Sequence, residues 1–242
     1  MIESKVPAQP DNVKPTGSVS VPFTLKPADC SDPVLTVESL MGCEKNKAHQ
    51  PGGLMEKALL SSLQLALSEL GWVPKSILDA GCQTGELTAV LGKQFLLSQV
   101  MGVDGDAALL AEAEQRHCCK LQFRKLDATD EPARLPFEAD RFDVVISHGF
   151  LNRHPDPAYW LGELMRVTAE GLIFTVLSPM GQGLFSNGWL WGKKRVFDQP
   201  IAAPYPVDMA ALTRQLEAAG FRVELTTHPF PYQLVLARKP QA

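Results

Sequence analysis

The sequence predicts an α/β domain built on a mostly parallel sheet with helices on both faces, and two observations carry that expectation. An apolar run, Ser76-Ile77-Leu78-Asp79-Ala80, passes into a glycine-punctuated turn, Gly81-Cys82-Gln83-Thr84-Gly85, and then into a helical pattern. Further short apolar runs follow, many with a polar or acidic tip, and segments of helical periodicity alternate with them. Strands alternating with helices are the pattern of crossover-linked parallel sheets, which bind ligands beyond the carboxyl ends of their strands.

Taken in order, the elements begin late. Pro7, Pro10, Pro15, Pro22, Pro27 and Pro33 interrupt any helix, so residues 1–30 read as an extended or disordered tail. Val34 to Met41 reads as a short helix or strand, and Pro51-Gly52-Gly53 as a break. Residues 1–52 thus form a proline-rich extension whose segment 30–52 is either a linker or a lid. Leu60, Leu63, Leu67 and Leu70 recur at three- and four-residue intervals, the stripe of a helix packed on the sheet.

The first strand ends at Ala80, and Val100-Met101-Gly102-Val103-Asp104 makes a second strand ending in an acid. Leu121 to Ala128 is the third, with Asp127 at its tip, and Arg141 to Ser147 leads through the fourth. Ala158 to Val167 is a helix and Gly171 to Leu177 the fifth strand. Asp208 suits an N-cap for a helix burying Met209, Leu212 and Leu216 and closed by Gly220. Phe221 to Thr226 and Tyr232 to Arg238 are the last two strands, a hairpin. The connection 178–207 is overlong for a loop and carries Phe185, Trp189, Trp191, Phe197 and Tyr205 around Lys193-Lys194-Arg195. It reads as a lid walling a substrate pocket, with Phe185, Trp189, Trp191, Arg195 and Tyr205 as the candidate contacts.

The glycine spacing is not the G-x-G-x-x-G of dinucleotide sites. It resembles the first motif, D/E-x-G-x-G-x-G, of class I S-adenosylmethionine (SAM)-dependent methyltransferases, with Gln83 in place of the middle glycine. Leu135-Pro136-Phe137 and Phe142-Asp143-Val144-Val145 resemble that family's "LPF…FDVV" signature. Leu151-Asn152-Arg153-His154-Pro155-Asp156-Pro157 resembles the "LEHVPDP" segment of its small-molecule, ubiquinone-methyltransferase-like branch, Asn152 replacing Glu and Arg153 replacing His. The resemblance covers roughly Leu54 to Lys239 and implies a Rossmann-like methyltransferase domain over 53–242, with seven strands and one of them antiparallel.

It also implies the cofactor SAM and its contacts. Asp79, Gly81, Cys82, Gln83, Thr84 and Gly85 line the methionine end, and Asp104 with Gly105 the ribose. Asp127 and Ala128 lie along the adenine, and Ser147 stands at the end of the fourth strand. For an acceptor needing a proton removed, His148 and then His154 are the candidate bases. No Asn-Pro-Pro-Tyr or Asp-Pro-Pro-Tyr tetrad and no proline-cysteine pair follows the fourth strand, which argues against base-modifying enzymes.

Composition bounds the partners. A net charge of −4 argues against a broad nucleic-acid surface. No apolar run is long enough to span a bilayer and no leader pattern opens the chain, so the expectation is a cytoplasmic protein without a membrane partner. The five cysteines are expected to be free thiols, since Cys30, Cys43 and His49 fit no zinc spacing, and no metal is expected. Three functions are open: methyl transfer to a small molecule, which leads; a degenerate SAM-fold binding protein; and a protein or RNA methyltransferase. The acceptor and the oligomeric state are not legible.

Overall fold

A computed structural model describes residues 54–117, 121–126, 133–186, 195–196, 199–200 and 205–240. Helix α1 (Leu54–Glu69) precedes β1 (Ser76–Ala80), α2 (Glu86–Gln94), β2 (Gln99–Asp104), α3 (Ala107–Arg116) and β3 (Gln122–Lys125). Then come β4 (Phe142–His148), a 3-10 turn (Leu151–Arg153), α4 (Pro157–Val167) and β5 (Thr168–Leu177). The long connection contains α5 (Pro179–Ser186) and a small hairpin, β6 (Arg195–Val196) and β7 (Gln199–Pro200), neither of which the sequence reading anticipated. Helix α6 (Met209–Ala218), β8 (Arg222–Thr227) and β9 (Tyr232–Arg238) complete the chain.

The main sheet has seven strands in the order β3-β2-β1-β4-β5-β9-β8. Strands β3, β2, β1, β4 and β5 pair in parallel, while β9 runs antiparallel to both β5 and β8. One antiparallel strand among parallel ones is the arrangement the resemblance implied. Strand order reverses between β1 and β4, so the chain leaves these neighbours in opposite directions and a crevice opens at their carboxyl ends.

Each face of the sheet carries its own core. Leu78, Ala80, Val145, Phe174 and Val176 meet Trp160, Leu161 and Leu164 of α4 and Leu212 and Leu216 of α6. On the other face Ile77, Val144, Ile146 and Ile173 meet Leu59, Leu63 and Leu67 of α1 and Leu87 and Leu91 of α2. A strand covered on both sides reads as a mostly apolar run, and all of β1 is buried, Ser76 and Asp79 included. Full burial of a leucine such as Leu161 or Leu164 contributes about 1.5–3 kcal/mol.

The helices start where their capping residues dictate. The Asp106 carboxylate accepts from Ala108 N at 2.8 Å, and Asp208 does the same for Ala210 N at 2.9 Å. Asp156 accepts from Tyr159 N at 3.0 Å, with Pro157 in the first turn where its missing N–H costs nothing.

Boundaries differ locally. Strand β5 starts at Thr168 rather than Gly171, because Thr168 pairs with Phe142 across an irregularity in register. Strand β3 is shorter than Leu121 to Ala128, and as the sheet edge it exposes Gln122, Arg124 and Lys125. Several expectations fall outside the described residues: the tail, Val34 to Met41 and the segment 30–52, with Cys30, Cys43 and His49; Cys118-Cys119; Asp127 and Ala128; and Trp189, Trp191, Lys193, Lys194 and Phe197.

Candidate functional site

The turn between β1 and α2 is held in a conformation that disfavours side chains. Gly81 has φ 81°, Gln83 φ 52° and Gly85 φ 77°. Gly81 N and Cys82 N both donate to Val103 O, at 2.7 and 3.0 Å, which ties the loop to the end of β2. Gln83 therefore occupies left-handed backbone, where the family's glycine is free of strain. Gln83→Gly relieves that strain, about 1 kcal/mol or somewhat more, but adds about 0.4–1 kcal/mol of freedom to the unfolded chain. Stability should change by less than about 1 kcal/mol, and ligand affinity should hold or improve in calorimetry. A large loss of affinity would mean that the Gln83 amide touches the ligand.

Asp104 closes β2 beside this loop. Its Oδ2 accepts from Gln83 N and its Oδ1 from Asp106 N, both at 3.0 Å. Two backbone donors fix the carboxylate's orientation, and each oxygen keeps a lone pair for a hydroxyl. Gly105 follows it and is exposed. Thr84 and Cys82 are buried, and burial with the nearby Asp79 and Asp104 charges pushes the Cys82 thiol far up, leaving it inert.

Asp79 lies beneath the loop, 1% exposed, its Oδ2 accepting from Thr88 Oγ1 at 2.7 Å. Burial raises its carboxyl from 3.8 to about 7, against the opposing pull of the Thr88 hydrogen bond and the Arg153 charge. Near neutrality a cation arriving at the loop would shift Asp79 to its ionised form.

The structure brings His148 to the carboxyl end of β4, its Nδ1 sharing a hydrogen bond with Thr175 Oγ1 at 2.7 Å and its ring edge-on to Tyr232 at 4.7 Å. Burial, then the Arg153 charge, lowers its pKa to about 3. His154 packs against Phe150 and Trp160, with ring centroids 4.4 and 4.7 Å away, and burial lowers it to about 4. Both imidazoles are neutral at pH 7 and weakly basic, better suited to hydrogen bonding than to strong base catalysis. Ser147 is fully buried, and its Oγ has no hydrogen-bond partner among the described residues.

From the long connection, Phe185 falls in α5 and Arg195 in β6. Tyr205 is 45% exposed, and its backbone is tied to the site: Tyr205 N donates to Asn152 O at 2.7 Å and Asn152 Nδ2 to Tyr205 O at 3.0 Å. Asn152 Oδ1 in turn accepts from Leu177 N at 2.8 Å, so this end of the connection sits at the carboxyl ends of β4 and β5.

Arg153, Thr88, Thr175 and Tyr232 belong to the same cluster and were not among the residues picked from sequence. Arg153 Nη2 donates to Gly81 O at 2.8 Å, and its guanidinium faces the Phe150 ring at 5.8 Å. The one sequence signal was its place in the Leu151 to Pro157 segment, where the family carries histidine. Among the described residues no group of three His, Cys, Asp or Glu is placed to hold a metal ion.

The loop, the acid at the tip of β2 and the crevice at the β1–β4 reversal fit a nucleoside with a charged tail: acceptors stand at the ribose position and a carbonyl with buried acid at the tail. Residues 78–176 match the family model described as a methyltransferase domain. Among curated proteins, a trans-aconitate 2-methyltransferase of Deinococcus radiodurans is 31% identical over 125 residues, covering 52% of this chain and 46% of the relative. A demethylmenaquinone methyltransferase of Thermus thermophilus is 35% identical over 128 residues, covering 51% of this chain and 56% of the relative. The chain thus spans about half the length of these relatives. Among solved structures, an S-adenosylmethionine-dependent methyltransferase from Mesorhizobium loti superposes with a TM-score of 0.59 at 18% identity, covering 77% of this chain and 100% of its own. Glycine loop, strand order and matched segment agree: residues 78–176 match a methyltransferase-domain model, and the described fold is that of the solved methyltransferase on which the chain superposes.

Proposed function

We propose that the protein is a SAM-dependent methyltransferase acting on a small-molecule acceptor. The observation that carries this is Asp104, held at the carboxyl end of β2 by Gln83 N and Asp106 N beside a positive-φ loop, one strand from the order reversal. In this reading the 81–85 loop and Asp79 face the methionine end, Asp104 takes the ribose hydroxyls, and Asp127 with Ala128 flanks the adenine. Bound there, SAM supplies a methyl group already made electrophilic by the sulfonium.

The chain's own contribution is alignment and exclusion of water. His148, fixed by Thr175 and Tyr232, presents a neutral imidazole at the end of β4, while His154 packs between Phe150 and Trp160 and is the second candidate. The connection carrying Phe185, Trp189, Trp191, Arg195 and Tyr205 covers the acceptor; the anchoring of Tyr205 to Asn152 supports that role. Small-molecule acceptors are supported by the relatives named for trans-aconitate and demethylmenaquinone. No helix among the described residues is long and apolar enough to cross a membrane. A cytoplasmic setting without nucleic-acid partners accords with the net charge of −4.

Thermal-shift titration with SAM and S-adenosylhomocysteine tests the reading directly. Both should raise the melting temperature, and no shift with either would end it. Asp104→Ala should then lose about 1.5–3 kcal/mol of affinity, the worth of hydrogen bonds to a charged group. Equal affinity in calorimetry would remove Asp104 from the ribose.

A further inference from the structure

We propose that Arg153 is a carboxylate-binding residue of this site, at a position where the family segment carries histidine; the proposal rests on the methyltransferase reading. The guanidinium lies on the bare side of Gly81, where a Cβ would collide with Arg153 Nη2. It therefore stands in the glycine cradle itself.

Its present partners leave it under-used. The side chain is 27% exposed and carries five N–H donors, yet it makes one hydrogen bond among the described residues, to Gly81 O at 2.8 Å. The nearest acid, Asp104, stays 3.6 Å away at Nη1, with both oxygens already accepting from Gln83 N and Asp106 N. Asp79 is engaged by Thr88. A planar fork with free donors, largely removed from water, is built to take a carboxylate through two parallel hydrogen bonds. A carboxylate on that fork releases the Gly81 carbonyl, which then becomes an acceptor for an ammonium group. Carboxylate and ammonium together describe the amino-acid end of the cofactor; a carboxylate alone describes an organic-acid acceptor. The shared chemistry is a carboxylate at the fork.

Calorimetry on the full chain, wild type against Arg153→Met, separates the sources. The ligands are S-adenosylhomocysteine, 5′-methylthioadenosine, which lacks the amino acid, and tricarballylate added to the S-adenosylhomocysteine complex. If the cofactor's carboxylate is bound, Arg153→Met weakens S-adenosylhomocysteine about 10- to 100-fold and leaves 5′-methylthioadenosine within about threefold. If the acceptor's is bound, both nucleosides are unchanged and tricarballylate binding, seen in wild type, is lost. Arg153→Lys keeps the charge without the fork and should recover part of either loss; it also serves if Arg153→Met does not fold.

The proposal is overturned if Arg153→Met binds both nucleosides as tightly as wild type or tighter and tricarballylate responds to neither protein. Arg153 would then be a plug or a brace, with the methyltransferase reading intact. Failure of wild type to bind either nucleoside removes that reading, and this proposal with it.

Discussion

Asp79→Asn should make the protein more stable at pH 8, by about 4 kcal/mol, and by well under about 1 kcal/mol near pH 4. Burial raises the Asp79 carboxyl from 3.8 to about 7, and each unit of difference between folded and unfolded states is worth about 1.4 kcal/mol. A raised acid binds its proton more tightly in the folded state, so its contribution is fully present below pH 3.8. That contribution is lost as pH rises to about 7, above which folding must hold a buried anion. Asparagine keeps the shape and still accepts from Thr88 Oγ1, which donates to Asp79 now at 2.7 Å, while carrying no charge.

His148 acts in the opposite direction. Its folded pKa is near 3 against an ordinary 6.5, so its share of stability is present above pH 6.5 and declines as pH falls toward 3. Denaturation at pH 4 and pH 8 therefore isolates Asp79 as the difference between variant and wild type. Equal midpoints at pH 8 would mean that the carboxylate is stabilised by something other than Thr88 and Arg153. The gain should come with a functional cost, since an ionised Asp79 favours a cationic ligand: the variant should lose more affinity for SAM than for neutral-sulfur S-adenosylhomocysteine.

Asn152→Ala carries the second large effect, a loss of about 2–5 kcal/mol. Asn152 is 3% exposed and uses both ends of its amide, accepting from Leu177 N at 2.8 Å and donating to Tyr205 O at 3.0 Å. Alanine orphans the buried Leu177 N–H, costing about 1–3 kcal/mol, loses the bond to the Tyr205 carbonyl, and leaves a cavity where the amide packed. Asn152→Asp should also destabilise, because a carboxylate oxygen would face the Tyr205 carbonyl. Urea denaturation checks both; a loss below about 1 kcal/mol in Asn152→Ala would show that other groups hold this junction. Losing the side-chain bond leaves Tyr205 held by its backbone bond to Asn152 O alone, which should loosen the connection proposed to cover the acceptor and weaken acceptor binding more than cofactor binding.

What sequence alone determined here is local. The strand-turn-helix around Gly81 to Gly85 was legible because the short, mostly apolar run of β1, buried along its length, passes straight into a glycine-punctuated turn. The helix start at Asp208 was legible because a cap acts on the next few backbone N–H groups; the matching cap at Asp106 was not picked out. The leucine stripe of α1 was legible because Leu63, Leu67 and Leu70 face one core. The position of Asp104 followed from the strand it ends.

Tertiary structure alone decided the rest, since the partners lie far apart in the chain. Arg153 meets Gly81 across 72 residues, and Asn152 meets Leu177 and Tyr205 across 25 and 53. Both stood out in sequence only as departures from a family pattern; their roles became visible when the fold set donors against acceptors. His148 read as a base from its place after β4, yet its basicity is set by burial, the Arg153 charge and the packing of Thr175 and Tyr232 around the ring. Periodicity and capping are written over a few residues, whereas desolvation and charge pairing depend on what the rest of the chain brings alongside.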